Sequence, residues 1–153
     1  MRNVFYYNTK IGKLRIEDEG NYIVSVSTFD GNEPEQIQET ALIKATYLQL
    51  KEYFDGKRTT FDIPIRLEGT SFQTKVWEAL RKIPYGETRS YGEIAKQIGS
   101  PKGARAVGGA NHNNPILIIV PCHRVIGASG ALVGFGAGIP VKEMLLKLEN
   151  HKM

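Results

Sequence analysis

The chain has little of what builds disulfides or metal sites: one cysteine, Cys122, and three histidines among 153 residues. A single cysteine cannot form an internal disulfide, which suits a reducing compartment. A structural zinc site needs four Cys or His ligands at short spacings, and no such cluster is present. We therefore predict that the protein holds no metal and no other cofactor.

Long hydrophobic runs are also missing. No segment approaches the 18 consecutive apolar residues of a membrane-spanning helix, and residues 1–18 lack the apolar stretch of a secretory signal. Hydrophobic content of 41% and charged content of 24% are typical of a globular protein. These observations predict a cytoplasmic protein with no membrane partner.

Positive charge is concentrated in the second half of the chain. The net charge of +4 arises from an N-terminal half, residues 1–80, that carries −2, followed by residues 81–105 with six Lys and Arg against two Glu. Such asymmetry favours a polyanionic partner for the second half. A solvated basic surface is the alternative that charge alone leaves open.

The first third reads as a small sheet with one helix. Residues 4–29 hold three segments rich in β-branched and aromatic residues, VFYYN, KLRIE and YIVSVSTF. Residues 33–57 predict a helix that ends at Gly56, and residues 59–65, TTFDIPI, predict another strand. The apolar face expected for the helix consists of Ile37, Ala41, Ala45 and Leu48.

From residue 67 onwards the pattern becomes mostly helical. SFQTKVWEALRKIP predicts a helix capped by Thr70 or Ser71, and SYGEIAKQIG predicts one with a capping box of Ser90 and Glu93. PKGARAVGGAN predicts a short helix, and PVKEMLLKLEN predicts a last one whose inner face is Val141, Met144, Leu145 and Leu148. We predict a two-domain α+β protein, with domains at 1–66 and 67–153.

The pattern of residues 90–111 is typical of a helix-turn-helix, with two short helices joined by a GSP turn. The second helix offers glycine and alanine instead of the side chains that read base edges. These small residues fit either close packing inside the protein or close approach to a DNA minor groove. In the second case Arg105 is the long side chain that enters the duplex and takes the place of a displaced base.

PCHRV, residues 121–125, contains the lone thiol at the end of the apolar run ILIIV, which we predict to be a buried strand. Cys122 is either a small buried hydrophobe or a nucleophile whose proton passes to His123, directly or through a water. A carboxylate is the usual group that orients such an imidazole. Glu143 and Glu149 both qualify, and spacing alone does not choose between them.

Four segments in order give the chain a recognisable character: SFQTKVWEALRKIPYGETRSYGEIA, PKGARAVGGAN, NPILIIVPCHRV and GIPVKEMLLKLE. Through them the chain resembles the O6-alkylguanine-DNA alkyltransferases, or methylated-DNA–protein-cysteine methyltransferases, from about Thr70 to Glu149. The resemblance implies a ribonuclease H-like N-terminal domain and a C-terminal domain that binds DNA and accepts the alkyl group on an active-site loop.

The resemblance also implies catalytic roles, residue by residue. Cys122 is the alkyl acceptor, His123 is the base that draws its proton through a water, and Glu149 orients His123. Asn114 ties together the turn before the active site. Tyr91 donates a proton to N3 of the departing guanine.

Further residues are implied to line the base pocket or to contact DNA. The backbone of Val125 contacts the exocyclic amine of guanine, and a loop with Phe135 and Gly136 shapes the alkyl pocket. Phe135 stands where many members have tyrosine, and Leu117 stands where many have proline. Arg105 is the finger that replaces the flipped base, and the DNA-binding set is Ser90, Tyr91, Gly92, Lys102, Ala104, Arg105 and Ala106.

The activity implied by the resemblance is irreversible transfer of an alkyl group from O6-alkylguanine in duplex DNA to Cys122. The target base is flipped out, and each protein molecule acts once, as a monomer. Repair of O4-alkylthymine and cooperative binding along DNA stay open. Two other functions are weighed against this one: a damage sensor of the same fold, which would lack the acceptor cysteine, and a Cys-His-Glu hydrolase, which would turn over repeatedly.

Overall fold

The computed structural model describes residues 2–34, 37–127 and 137–150. The chain divides into two compact units, Met1–Leu67 and Glu68–Met153. The first is a small sheet with a helix and the second is mainly helical, so the predicted α+β class is confirmed. Within the described residues, no helix has the length and apolar character needed to cross a bilayer.

The first unit is built on a three-stranded antiparallel sheet in the order β1-β2-β3. Its strands are Asn3–Thr9, Gly12–Asp18 and Ile23–Thr28. The β1–β2 turn ends at Gly12, whose φ of 105° is readily adopted only by glycine. Helix α1, Ala41–Phe54, contacts β1 and β2. The three strands predicted within residues 4–29 are confirmed.

The predicted apolar face of α1 is wrong. Ile37 precedes the helix, and both Ile37 and Leu48 are exposed. Thr40 caps the helix by accepting from the N–H of Ile43, and its own hydroxyl donates to the buried Asp18. The buried face of α1 holds larger side chains than the predicted alanines, so it removes more apolar surface from water. The residues of this face are Ile43, Thr46, Leu50, Tyr53 and Phe54.

Residues 59–65 do not form the predicted strand. They make a single parallel bridge between Ile65 and Ile23, flanked by hydrogen bonds from Ile23 to the carbonyl of Pro64 and from Arg66 to that of Ile23. Pro64 has no N–H to donate, so the ladder cannot continue through it.

The second unit packs short helices around the PCHRV segment. Its helices are α2 (Ser71–Arg81), α3 (Tyr91–Gln97), α4 (Ala104–His112) and α5 (Ile139–Glu149). A two-residue parallel pair joins β4, Arg89–Ser90, to β5, Val125–Ile126. A 3-10 turn, Cys122–Arg124, which we call the acceptor turn, lies directly before β5.

The predicted helix-turn-helix forms, and the predicted N-cap residues cap their helices. Thr70 and Gln73 form a reciprocal capping box at α2, and Ser90 and Glu93 form another at α3. Helices α2, α3 and α4 contact one another, and the indole N–H of Trp77 donates to the carbonyl of Ala110 at 2.9 Å. This buried bond fixes the C-terminal half of α4 against α2.

Candidate active site

The segment before the cysteine is a tight loop, and the predicted strand is wrong. The side chain of Asn114 closes the loop: its Nδ2 donates to the carbonyl of Val120 at 2.7 Å, and its Oδ1 accepts from the N–H of Ile116 at 3.0 Å. Ile118 has a φ of 72°, a left-handed conformation that a β-branched residue rarely adopts and that no strand contains. The apolar run is buried as predicted except at Ile119, which is partly exposed.

Cys122 begins the acceptor turn and is 2% exposed. Burial raises the pKa of its thiol to about 11, although a hydrogen bond from Asn114 and the charge of Lys142 act in the opposite direction. The thiol is therefore protonated at neutral pH in this structure. A thiolate is the nucleophilic form, so reaction requires a base that removes the proton.

His123, which the resemblance implies as that base, has a defined partner. Nε2 of His123 lies 2.5 Å from Oε2 of Glu149, and both side chains are buried. Because an ionised carboxylate only accepts, the hydrogen bond assigns the imidazole proton to Nε2 and leaves the lone pair on Nδ1. The tertiary structure thus selects Glu149 over Glu143, which is exposed and pairs with Lys147.

A buried arginine holds the same carboxylate. Nε and Nη2 of Arg124 donate to the two oxygens of Glu149 at 2.7 and 3.0 Å, and Nη1 donates to the carbonyl of Ile83 at 2.7 Å. Such a bidentate pair fixes the carboxylate in position as well as in charge. Sequence reasoning assigned no role to Arg124, although its place beside His123 was a signal.

The pKa values follow from these contacts. Burial opposes ionisation of Glu149, but the hydrogen bonds from His123 and Arg124 outweigh it and lower its pKa to about 2. Burial lowers the pKa of His123, and Glu149 only partly offsets this. His123 is therefore neutral at pH 7 and able to accept a proton.

Lys142 is a second residue that sequence reasoning missed. Its side chain is fully buried, Nζ donates to the carbonyl oxygen of Val125, and Nζ lies 5.9 Å from the ring centroid of Tyr91. Burial lowers its pKa to about 8, while Cys122 acts to raise it. The inner face of α5 is Lys142, Leu145 and Glu149, at helical spacing, whereas the predicted Met144 is 45% exposed.

Tyr91 and Val125 lie in the same region of the unit. Tyr91 is the first residue of α3, and burial, followed by the charge of Cys122, raises the pKa of its phenol. Val125 is fully buried directly after the acceptor turn. Phe135 and Gly136 lie outside the described residues.

The predicted DNA-binding residues lie on α3, on α4 or at their ends. On α4, Arg105, Ala106 and Gly109 are exposed, whereas Val107, Ala110 and Asn111 are buried. The small residues of the exposed face therefore do not serve internal packing. Lys102 is exposed before α4, Ala104 opens it, Gly92 lies in the first turn of α3, and the Ser90 hydroxyl caps α3.

Two family models together match nearly the whole chain. Residues 4–67 match the 6-O-methylguanine DNA methyltransferase, ribonuclease-like domain, and residues 71–151 match the 6-O-methylguanine DNA methyltransferase, DNA binding domain. The boundary between these matches falls where the structure divides into its two compact units.

Individual relatives agree with the family models. A methylated-DNA–protein-cysteine methyltransferase of Methanosarcina acetivorans is 63% identical over 145 residues, covering 95% of this chain and 84% of the relative. One of Mycobacterium leprae is 49% identical over 150 residues, covering 95% and 91%.

Solved structures show the same fold. The Mycobacterium tuberculosis O6-methylguanine methyltransferase is 46% identical and superimposes with a TM-score of 0.91 over 100% of this chain and 95% of the other. A structure of the tuberculosis protein in complex with DNA gives 0.87 at 47% identity, over 99% and 93%. With both domains matched and a relative this similar, the chain belongs to the 6-O-methylguanine DNA methyltransferase family.

Proposed function

We propose that this protein repairs duplex DNA by moving the alkyl group of O6-alkylguanine onto the sulfur of Cys122. The observation that carries the proposal is the buried His123–Glu149 pair beside the lone thiol of the chain. Neutral His123 is the base for the thiol proton, and Glu149 fixes its tautomer and stabilises the imidazolium that forms.

The reaction is a single displacement at the alkyl carbon. The thiol proton passes to His123, directly or through a water, and the resulting thiolate attacks the carbon bound to guanine O6. The S–C bond forms as the C–O6 bond breaks, and the electron pair stays with the base. Tyr91 supplies a proton at N3, since a guanine anion is a poor leaving group.

The product explains why one cysteine is enough. Alkylated Cys122 is a thioether, which water does not cleave, and the chain holds no second thiol that would restore it. Each molecule therefore acts once and is consumed. This stoichiometry separates the proposal from a hydrolase, which would regenerate its nucleophile.

The exposed face of α4 supplies the DNA contact. Its Ala106 and Gly109 permit close approach to the minor groove, and Arg105 occupies the space that the flipped base leaves. Base flipping is required because Cys122 is buried, so the base must leave the stack for its O6 substituent to reach the thiol. Contacts of this kind carry little sequence information, which suits a repair protein.

The remaining assignments extend the same proposal. The N-terminal unit serves as a structural domain, and residues 67–153 carry both DNA binding and transfer. The protein acts as a cytoplasmic monomer on duplex DNA without a cofactor, and O4-alkylthymine is a second candidate substrate. The backbone of Val125 contacts the exocyclic amine of guanine.

Intact-protein mass spectrometry tests the proposal. The protein, in excess, is mixed with a duplex that contains one O6-methylguanine, and Cys122→Ser serves as the matched control. We expect a gain of one methyl group on the Cys122 peptide, saturating at one per protein, and none in the variant. Tight retention of the damaged duplex with no mass gain would instead identify a damage sensor, and continued release of methanol would identify a hydrolase.

A further inference from the structure

Asn111 is a fully buried polar residue on the inner face of α4, and none of the roles above uses it. Its Nδ2 donates to the carbonyl oxygen of Cys122 at 3.2 Å. Its Oδ1 is buried and has no hydrogen-bond partner in the part of the chain that the structure describes. A buried acceptor without a partner costs free energy that an apolar side chain of similar shape would avoid. Stability alone therefore does not account for an asparagine at this position.

The ring of Tyr91 lies against the same face of α4. A Cβ atom added at Gly108, one helical turn before Asn111, would lie 3.9 Å from the Cε1 atom of the Tyr91 ring. The side chain of Asn111 also hydrogen-bonds Tyr91, and this bond opposes the rise in the pKa of the phenol that burial and Cys122 cause. Because Oδ1 has no partner among the described residues, the group of Asn111 that meets the phenol oxygen is Nδ2.

We propose that Asn111 is a positioning residue for alkyl transfer, whose amide N–H groups hold both the Cys122 carbonyl and the Tyr91 phenol oxygen. The inference rests on the proposed function. A phenol oxygen that accepts from an amide directs its own O–H away from that amide. The donated bond also stabilises the negative charge that builds on the oxygen as its proton moves to N3 of guanine.

In this arrangement one helix, α4, carries both a DNA-binding residue and a residue that positions the reacting groups. The exposed face of α4 carries Arg105, and its buried face carries Asn111. The Trp77 bond to Ala110 keeps that end of the helix in place. The helix that enters the minor groove therefore also fixes the acceptor turn and the acid. Asn111 itself neither gains nor loses a proton, and the bonds made and broken are those of the transfer step.

A double-mutant cycle tests the inference. The variants are Asn111→Leu, Tyr91→Phe and the pair, and the first-order rate of methyl transfer is measured with excess protein on an O6-methylguanine duplex. We expect Asn111→Leu to lower the rate about tenfold, the effect of one strong hydrogen bond, while the Kd for the duplex stays within about twofold. In the Tyr91→Phe background the same change should lower the rate by a clearly smaller factor, because the phenol oxygen is absent and only the bond to the Cys122 carbonyl is lost.

Asn113→Leu is the matched control, since among the described residues that exposed side-chain amide bonds the carbonyl of Gly109 in the same helix and no other group. It should transfer at the wild-type rate. A loss from Asn111→Leu that is equal with and without Tyr91 would show that Asn111 only shapes the fold, and would overturn the inference. Asn111→Met replaces the leucine variant if thermal unfolding shows that the latter does not fold.

A modified substrate gives a second, independent readout. In a duplex with O6-methyl-3-deazaguanine, a C–H group stands where N3 would accept the proton of Tyr91. The difference between wild type and Asn111→Leu should shrink on this substrate, and an undiminished difference would contradict the inference. If the wild-type protein leaves Cys122 unmethylated on the ordinary substrate, the proposed function fails, and the inference fails with it.

Discussion

Lys142 donates a hydrogen bond from its buried ammonium group to the carbonyl oxygen of Val125, three residues beyond the acceptor cysteine. The helix α5 thus brings a positive charge to the acceptor turn from the same face that carries Glu149. That charge lowers the pKa of the Cys122 thiol against the larger effect of burial. The geometry makes Lys142 part of the environment that controls thiolate formation.

Lys142→Met should therefore slow the reaction of Cys122 with iodoacetamide. The loss of positive charge raises the thiol pKa further, and the difference from wild type should be greatest below about pH 8, where Lys142 is charged. Cys122 is the sole cysteine, so mass spectrometry of the labelled protein reports on it alone. Lys147→Met, an exposed lysine on the same helix, is the control. Identical pH profiles for wild type and Lys142→Met would remove Lys142 from this role.

Arg124→Met should destabilise the fold by about 3–5 kcal/mol, the usual loss when one partner of a buried ion pair is removed. The carboxylate of Glu149 would lose both guanidinium bonds while it stays buried. Urea unfolding measures the change. Arg81→Met breaks an exposed pair with Glu78 and should change stability by less than about 1 kcal/mol. Similar small losses in both variants would mean that the buried pair contributes little.

Acid should destabilise the wild type more steeply than Glu149→Gln. The pKa of Glu149 is lowered to about 2 in the folded protein from an ordinary 4.5, so its ionised form favours folding fully above about pH 4.5. That contribution is lost as the pH falls from about 4.5 to about 2. Unfolding free energies measured across this window should show a shallower slope in Glu149→Gln. Glu143→Gln, on the exposed side of α5, should keep the wild-type slope; equal slopes in all three proteins would contradict the assignment.

Arg105→Ala should reduce repair of duplex DNA more than it reduces binding. Under the proposed function, the exposed side chain of Arg105 stabilises the state in which the target base has left the stack, a state that costs a few kcal/mol to reach. We expect the first-order transfer rate on duplex to fall by at least about tenfold, and the loss to shrink on single-stranded DNA, where no stacked partner must be replaced. Full-rate repair of duplex DNA by the variant would show that Arg105 is not the finger.

Much of the local structure was predictable because its causes are local. The capping boxes at Ser90 and Thr70 are set by side chains three residues from the amides they bind. The three N-terminal strands follow from runs of β-branched and aromatic residues between turns. Where prediction was wrong, hydrogen bonds from a polar side chain to the backbone prevailed over the hydrophobic pattern. The ILIIV run is buried but folds as a loop, because the side chain of Asn114 closes it.

The order of residues already specifies the reactive groups: a lone thiol followed by histidine, a helix-turn-helix of small residues with one arginine, and a basic second half. Which of these groups meet depends on the tertiary structure. It chose Glu149 over Glu143 and brought Arg124 onto the same carboxylate. It also buried Lys142 and Asn111 against the acceptor turn. Periodicity counts apolar side chains, so it passes over polar ones that fold inward, and their partners lie 11 to 26 residues away along the chain.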